Sequence, residues 1–144
     1  MLAKPSLTIR RHLPALPSVV YGAWTDPEML VRWFGPAESE VLSAEMDPRL
    51  GGSYRVLFRT ADGEEHGVGG MYREVARDRR LVFTWAWRSM PERESVVTVD
   101  LRPEGEGTVL TLTHDEFVDA PARDRHRSGW AGALDNLERY VATL

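Results

Sequence analysis

The sequence predicts an α+β fold in which a curved antiparallel sheet of about seven strands wraps around a long C-terminal helix, with two short helices after the first strand. Three observations lead to this class. Apolar and polar residues alternate with period two from Glu38 to His114, and the spacing becomes helical from Ala122 onward. The breaks between strand candidates are short, whereas a parallel crossover needs a dozen or more residues, so neighbouring strands must be antiparallel.

The N-terminal part of the chain holds the first strand and the two short helices. Residues 6–12 alternate in polarity and form an edge strand, and Pro17 is suited to open a short helix. Thr25 and Glu28 stand at capping-box spacing, which predicts that a second helix begins near Thr25. This helix ends at Gly35, because glycine accepts the left-handed backbone of a helix end and the following proline cannot continue the helix.

Further strand candidates form a meander between these helices and the C-terminal helix. They cover residues 39–46, 53–60, 66–75, 80–87, 95–102 and 107–115. The segments between them contain turn-forming residues, such as the Asp-Gly pair at 62–63. The sequence does not determine which residues of strand 66–75 face the helix, because its glycines permit a bulge that would exchange the two faces. His66 and Tyr72 are its candidates for facing the helix.

The last segment, residues 122–144, predicts a long amphipathic helix. Its apolar stripe consists of Trp130, Leu134, Leu137, Val141 and Leu144. The opposite side is rich in arginine and acidic residues, so this helix lies on the surface with one face buried. The sheet is the natural partner of that face. We therefore expect Trp130, Leu134 and Leu137 to be buried against the sheet.

Length and composition exclude several classes of protein. The 144 residues are the usual size of one domain, so a single domain spanning 1–144 can bury a core without a disulfide or a metal. The formal net charge of −4 argues against a nucleic-acid partner. No apolar run approaches the roughly 20 residues of a membrane span, so no membrane partner is expected. The chain contains no cysteine, which fits a cytoplasmic location.

Several sequence motifs are spread over nearly the whole chain. They are WTDPEMLVRWFGP at 24–36, RLVFTWAW at 80–87, GTVLTLTH at 107–114 and HRSGW at 126–130. In this order they resemble homologues of the activator of the heat-shock-protein-90 ATPase, and in particular its C-terminal domain. That family belongs to the superfamily of START-type, birch-pollen-allergen-like and polyketide-cyclase-like proteins. The resemblance implies a helix-grip fold with a cavity between the sheet and the C-terminal helix.

The side chains that alternation places toward the C-terminal helix are almost wholly apolar and aromatic. Such a lining suits a small apolar or aromatic ligand, with a few polar groups that orient it. The candidate ligand-binding residues are Tyr54, Phe58, Phe83, Trp85, Trp87, Val97, Val99, Leu112, His114, Trp130 and Leu134. The leading hypothesis is a noncatalytic module that binds this ligand. Plain core packing is the alternative interpretation of the aromatic residues.

The sequence indicates no catalytic residue, no metal ligand and no cofactor. His66, His114 and His126 are the histidines that could lie near the cleft, and we expect each to be buried and bonded to a neighbouring carbonyl. No Gly-x-Ser-x-Gly run or phosphate loop is present. The GVGG run at 67–70 lies inside a strand pattern and lacks the following helix that dinucleotide binding needs.

Two alternatives to a binding module stay open. The first is a cofactor-free enzyme of the cyclase or hydrolase kind, which would use a cleft histidine as acid or base. The second is a protein-interaction module, either a homodimer or a chaperone-associated factor, which a large exposed apolar patch would favour. The eukaryotic co-chaperones of the family carry a further N-terminal domain, for which 144 residues leave no room. Their chaperone-stimulating activity is therefore not expected of this chain.

Overall fold

The structure, a computed structural model, describes residues 4–144. In chain order its elements are β1 (Leu7–Leu13), α1 (Pro17–Thr25), α2 (Pro27–Leu30), β2 (Glu40–Met46), β3 (Ser53–Arg59), β4 (Glu65–Ala76), β5 (Arg80–Trp87), β6 (Ser95–Glu104), β7 (Gly107–Asp115) and α3 (Ala120–Val141). This is the order of elements that the sequence predicts. None of the helices within residues 4–144 has the length and apolar character required to cross a membrane.

One antiparallel sheet contains all seven strands, in the order β1-β7-β6-β5-β4-β3-β2. Apart from β1 and β7, every pair of neighbours in this order is also consecutive along the chain, as expected for a meander. The pairing of β1 with β7 places Leu7 opposite His114 and Leu13 opposite Thr108. The sheet curves around α3, which confirms the predicted α+β class and the helix-grip arrangement.

Strand β4 changes the face that it presents to the core. Val68 and Tyr72 are buried, whereas Met71 is 52 % exposed. The register with β5 shifts between Tyr72 and Glu74, and Val75 packs against the core beyond that shift. The bulge therefore lies after the glycines of this strand and not at them. As a result, His66 and Tyr72 both lie on the face that turns toward α3.

The second helix is shorter than predicted and has a different cap. Oδ1 of Asp26 accepts the backbone N–H of Glu28 at 2.9 Å, so Asp26 caps α2. The hydroxyl of Thr25 donates instead to the carbonyl of Tyr21 at 2.8 Å. The capping box predicted at Thr25 was wrong by one position, because Pro27 suits the first turn of the helix and the carboxylate before it is free to accept.

One stripe of α3 packs against the sheet. Trp130, Leu134 and Leu137 are buried, as predicted. Burial of an apolar side chain of this size contributes about 1.5–3 kcal/mol relative to leaving it in water. Leu144, which was also assigned to this stripe, is 63 % exposed because α3 ends at Val141.

An aromatic cluster fills one part of the interface between α3 and the sheet. The ring centroid of Trp24, on α1, lies 4.7 Å from the ring centroid of Trp33 and 5.9 Å from that of Trp130. The rings of Trp130 and Trp85 are 5.1 Å apart, which joins α3 to β5. Beyond these two indoles the interface opens, and the candidate site lies there.

Candidate functional site

A cavity of about 450 Å³ opens between the N-terminal half of α3 and the sheet. The end of β3, the start of β4 and the end of β5 meet at this place, because these consecutive strands run in opposite directions. The aromatic part of the lining comes from Phe34, Phe58, Trp85, Trp87 and Trp130. The volume lies within the range of about 300–1,000 Å³ that small-molecule sites occupy.

The structure divides the predicted ligand-binding residues into two groups. Phe58, Trp85, Trp87 and Trp130 line the cavity. The other candidates lie in the packed interior: Tyr54, Phe83, Val97, Val99, Leu112, His114 and Leu134. Alternation identifies the face of a strand correctly for both groups. The position along the strand then decides whether a side chain meets the cavity or packs against other side chains.

Sequence reasoning missed the lining residues that come from loops and from the start of α3. Phe34 and Pro36 belong to the segment after α2, and Met90 follows β5. Such segments have no periodicity that would indicate which side chains face inward. Arg125 and Gly129 lie on α3, one turn apart, and also line the cavity.

Gly129 is a signal that could have located the cavity. A glycine inside a helical pattern costs helix stability relative to alanine, so it usually has a packing or functional reason. A Cβ added at Gly129 would have Pro36 Cγ as its neighbour, at 3.8 Å, which leaves open space beside the helix. The missing side chain at this position therefore contributes to the volume of the cavity.

His126 lies in the cavity wall and forms a pair with Trp87. The indole N–H of Trp87 donates to Nε2 of His126 at 2.9 Å, so Nδ1 carries the imidazole hydrogen and donates to the carbonyl of Ala122 at 2.7 Å. Burial lowers the pKa of His126, the bond to Ala122 opposes this change, and the Arg125 cation lowers the pKa further. Both nitrogens of this neutral imidazole are occupied, in part by the carbonyl that the sequence analysis expected.

His114 forms a second pair of this kind in the packed interior. The indole N–H of Trp130 donates to its Nδ1 at 2.9 Å, so Nε2–H donates to Oγ of Ser95 at 2.7 Å. The hydroxyl of Ser95 then donates to the carbonyl of Trp85 at 3.2 Å. Burial, and to a smaller extent His126, lowers the pKa of His114 to about 2. The partner of this imidazole is a hydroxyl and not the carbonyl that we expected.

His66 stands at the mouth of the cavity, where it is partly exposed and contacts a hydroxyl, so the expectation of a buried imidazole bonded to a carbonyl was wrong for this residue. Its Nε2 lies 3.2 Å from Oγ1 of Thr60 and 3.9 Å from a carboxylate oxygen of Glu64. The hydroxyl of Thr60 donates to Asp62 at 2.5 Å, so Nε2 of His66 is the donor in its contact with Thr60. The ring also packs 5.4 Å from that of Phe58, which makes it part of the aromatic wall.

Charged side chains surround the mouth of the cavity. Glu65, Arg88 and Arg125 line it and are exposed. In the part of the chain that the structure describes, no three His, Asp or Glu side chains are placed to hold a metal ion. The site therefore offers aromatic surface, a few hydrogen-bonding groups and charge at its entrance.

Comparisons with known proteins agree with this geometry. The model of the Activator of Hsp90 ATPase homolog 1-like protein family matches residues 14–142. The chain belongs to this family. The match confirms the resemblance found in the sequence motifs.

Solved structures of three similar proteins have the same fold. A protein of Chromobacterium violaceum is 31 % identical to this chain. The alignment covers 94 % of this chain and 96 % of that protein, with a TM-score of 0.82. The AHSA1 protein of Silicibacter pomeroyi is 26 % identical, with coverage of 96 % and 99 % and a TM-score of 0.87. An AHSA1-like protein of Aeromonas hydrophila is 25 % identical, with coverage of 96 % and 93 % and a TM-score of 0.78. No curated protein is significantly similar to the chain.

Proposed function

We propose that the protein binds a small apolar or aromatic molecule in the cavity between α3 and the sheet. The observation that carries this proposal is an open cavity of about 450 Å³ whose lining is mainly apolar and includes the rings of Phe34, Phe58, Trp85, Trp87 and Trp130. Apolar surface gains about 25 cal/mol per Å² when it is removed from water, so a ligand that covers these rings is favoured. Aromatic ligands gain further from edge-to-face contact with indoles.

The polar groups of the lining support a binding role. Thr60, His66 and Ser89 lie in the wall together with the aromatic side chains. Ligand sites typically combine a largely apolar surface with a small number of polar groups that orient the bound molecule. The cavity has this composition.

The cofactor-free enzyme alternative has less support from the geometry. General acid–base chemistry needs a titratable group with a free position that can reach the substrate. Both nitrogens of His126 are hydrogen bonded, and His114 lies outside the cavity wall. His66 is the remaining imidazole of the lining; its Nε2 is engaged with Thr60, so Nδ1 is the one nitrogen that this alternative could use.

Occlusion of the cavity tests the proposed function. Titration with the neutral aromatic probe N-phenyl-1-naphthylamine should change the tryptophan fluorescence saturably, because Trp85, Trp87 and Trp130 line the cavity. In Gly129→Leu the new side chain enters the cavity, and we expect the affinity to fall at least about tenfold. Gly129→Ala adds one methyl group in ordinary contact with Pro36 and should retain binding.

The urea midpoint of each variant must first show that it is folded. If the folded Gly129→Leu variant binds the probe as tightly as the parent, the probe does not occupy this cavity. If the parent gives no saturable response, the binding proposal is rejected and the interaction-module alternative becomes the better hypothesis.

A further inference from the structure

The residues that line the cavity carry an excess of positive charge, although the whole chain has a formal net charge of −4. Glu65 contributes a carboxylate to the lining, but its Oε2 lies 3.1 Å from Nη2 of Arg59 and is neutralised there. Arg88 and Arg125 contribute two cations. Among residues 4–144 neither of these arginines has an ion-pair partner.

The side chain of Arg88 is placed across the cavity wall by a glycine. The backbone N–H of Arg88 donates to the carbonyl of Gly67 at 2.8 Å. A Cβ added at Gly67 would lie 3.2 Å from Nε and 3.3 Å from Cζ of Arg88, so the guanidinium lies over this glycine. Glu94, in the same loop, is paired with Arg73 at 3.4 Å and does not neutralise Arg88.

Arg125 has no acidic residue one turn away on its own helix. The residues three and four positions away are Pro121, Ala122, Ser128 and Gly129. No ion pair within α3 therefore competes for its guanidinium, whereas Arg123 on the same helix is paired with Asp124 at 3.0 Å. Burial lowers the pKa of His126, which lines the cavity, and the nearby Arg125 cation lowers it further.

We propose that the ligand carries a carboxylate or a similar small anion, which Arg88 and Arg125 bind at the mouth while its apolar part covers the indoles inside. This inference rests on the proposed binding function and narrows the ligand class to amphipathic acids. Guanidinium groups bind carboxylates through two parallel hydrogen bonds, and the apolar wall beside them strengthens the attraction because it excludes water.

A pair of probes that differ in charge alone tests this proposal. The anion 2-naphthoate and the neutral amide 2-naphthamide have the same ring system and nearly the same shape. At low salt the full chain should bind 2-naphthoate about five- to tenfold more tightly, as expected for a charge-assisted contact at a partly exposed site. High salt should reduce this preference because it screens exposed charges.

Substitution of the two arginines should remove the preference. In the double variant Arg88→Gln/Arg125→Gln, the affinity for 2-naphthoate should fall to that for 2-naphthamide, which should itself change little. The matched control is Arg93→Gln/Arg127→Gln, because both residues are exposed arginines of the same loop and the same helix but do not line the cavity. This control should keep the preference of the parent.

The outcomes separate this inference from the proposed function. Equal affinity of the parent for the two probes overturns the anionic specificity and leaves apolar binding intact. A preference that survives in Arg88→Gln/Arg125→Gln overturns the assignment to these arginines. If neither naphthalene probe binds, the anionic specificity is overturned, and the titration with N-phenyl-1-naphthylamine decides separately whether the proposed binding function stands.

Discussion

The interface between α3 and the sheet is filled in one part and open in the part beside it, and the same pair of side chains occurs in both, with the ring centroids of His114 and His126 5.1 Å apart. In each pair an indole N–H donates to an imidazole nitrogen at 2.9 Å. In the filled part, His114 and Trp130 are both buried, and Trp130 also contributes to the cavity lining. In the open part, Trp87 and His126 are partly buried and line the cavity.

The comparison shows that the surroundings of a hydrogen-bonded pair decide its role. His114 is linked through Ser95 to the carbonyl of Trp85, so every polar group in this chain of bonds is satisfied inside the core. Such a network is costly to disturb, because a buried polar group without a partner keeps its full desolvation penalty. In the open part, water can replace a lost partner. We therefore regard the first pair as structural and the second as part of a binding wall.

Removal of the two imidazoles should give the largest difference in stability between the two pairs. We expect His114→Ala to lower the free energy of unfolding by about 3 kcal/mol, because it leaves the buried indole N–H of Trp130 without a partner, removes the donor to Ser95 and creates a cavity in the core. His126→Ala should cost about 1 kcal/mol, since water reaches the open part. Urea denaturation measures both values, and His12→Ala, at an exposed position, serves as the control. Equal losses at the two positions would contradict the distinction.

The pH dependence of stability should report the buried pair. Burial lowers the pKa of His114 from 6.5 to about 2, so between these values the unfolded chain binds more protons than the folded one. The stabilising contribution is therefore complete above pH 6.5 and decreases as the pH falls toward 2. From pH 7 to 5 we expect a loss of about 2 kcal/mol, to which His126 adds in the same direction.

The matched variants for this experiment are His114→Gln and His12→Gln. The first should lose most of the slope between pH 7 and 5, because glutamine does not titrate, and the second should keep it. A urea midpoint of the parent that stays constant over this range would show that His114 becomes charged without cost, contrary to its position in the core.

Two glycines of α3 provide the finest comparison between the filled and the open parts of the interface. A Cβ at Gly132 would lie 2.8 Å from the backbone nitrogen of Ala37, whereas at Gly129 Pro36 Cγ would lie 3.8 Å away. We expect Gly132→Ala to destabilise the protein by about 1–2 kcal/mol through crowding. Gly129→Ala should stabilise it by about 0.5–1 kcal/mol through helix propensity. Thermal unfolding measures both changes in stability. A change of the same sign at both positions would contradict the assignment of Gly132 to the filled part and of Gly129 to the open part.

The sequence allowed the faces of the strands to be predicted but not the limits of the cavity. Phe83 and Trp85 share one face of β5, and both are buried as alternation requires. Trp85 lines the cavity and Phe83 does not, although two residues along a strand are only about 6.6 Å apart. That distance is comparable to the width of a side chain, so the boundary depends on where α3 crosses the sheet and not on a local pattern.

The sequence by itself determined the order of the elements, the antiparallel connections and the apolar faces of the strands and of α3, because these follow from local periodicity and from turn residues. The tertiary structure decided which side chains meet at the cavity. Gly67 lies on β4, Arg88 directly follows β5 and Arg125 lies on α3. That all three line one cavity depends on the register of β4 with β5 and on the position of α3 on the sheet. Both result from the packing of the whole core, and a short stretch of sequence carries no information about such non-local distances.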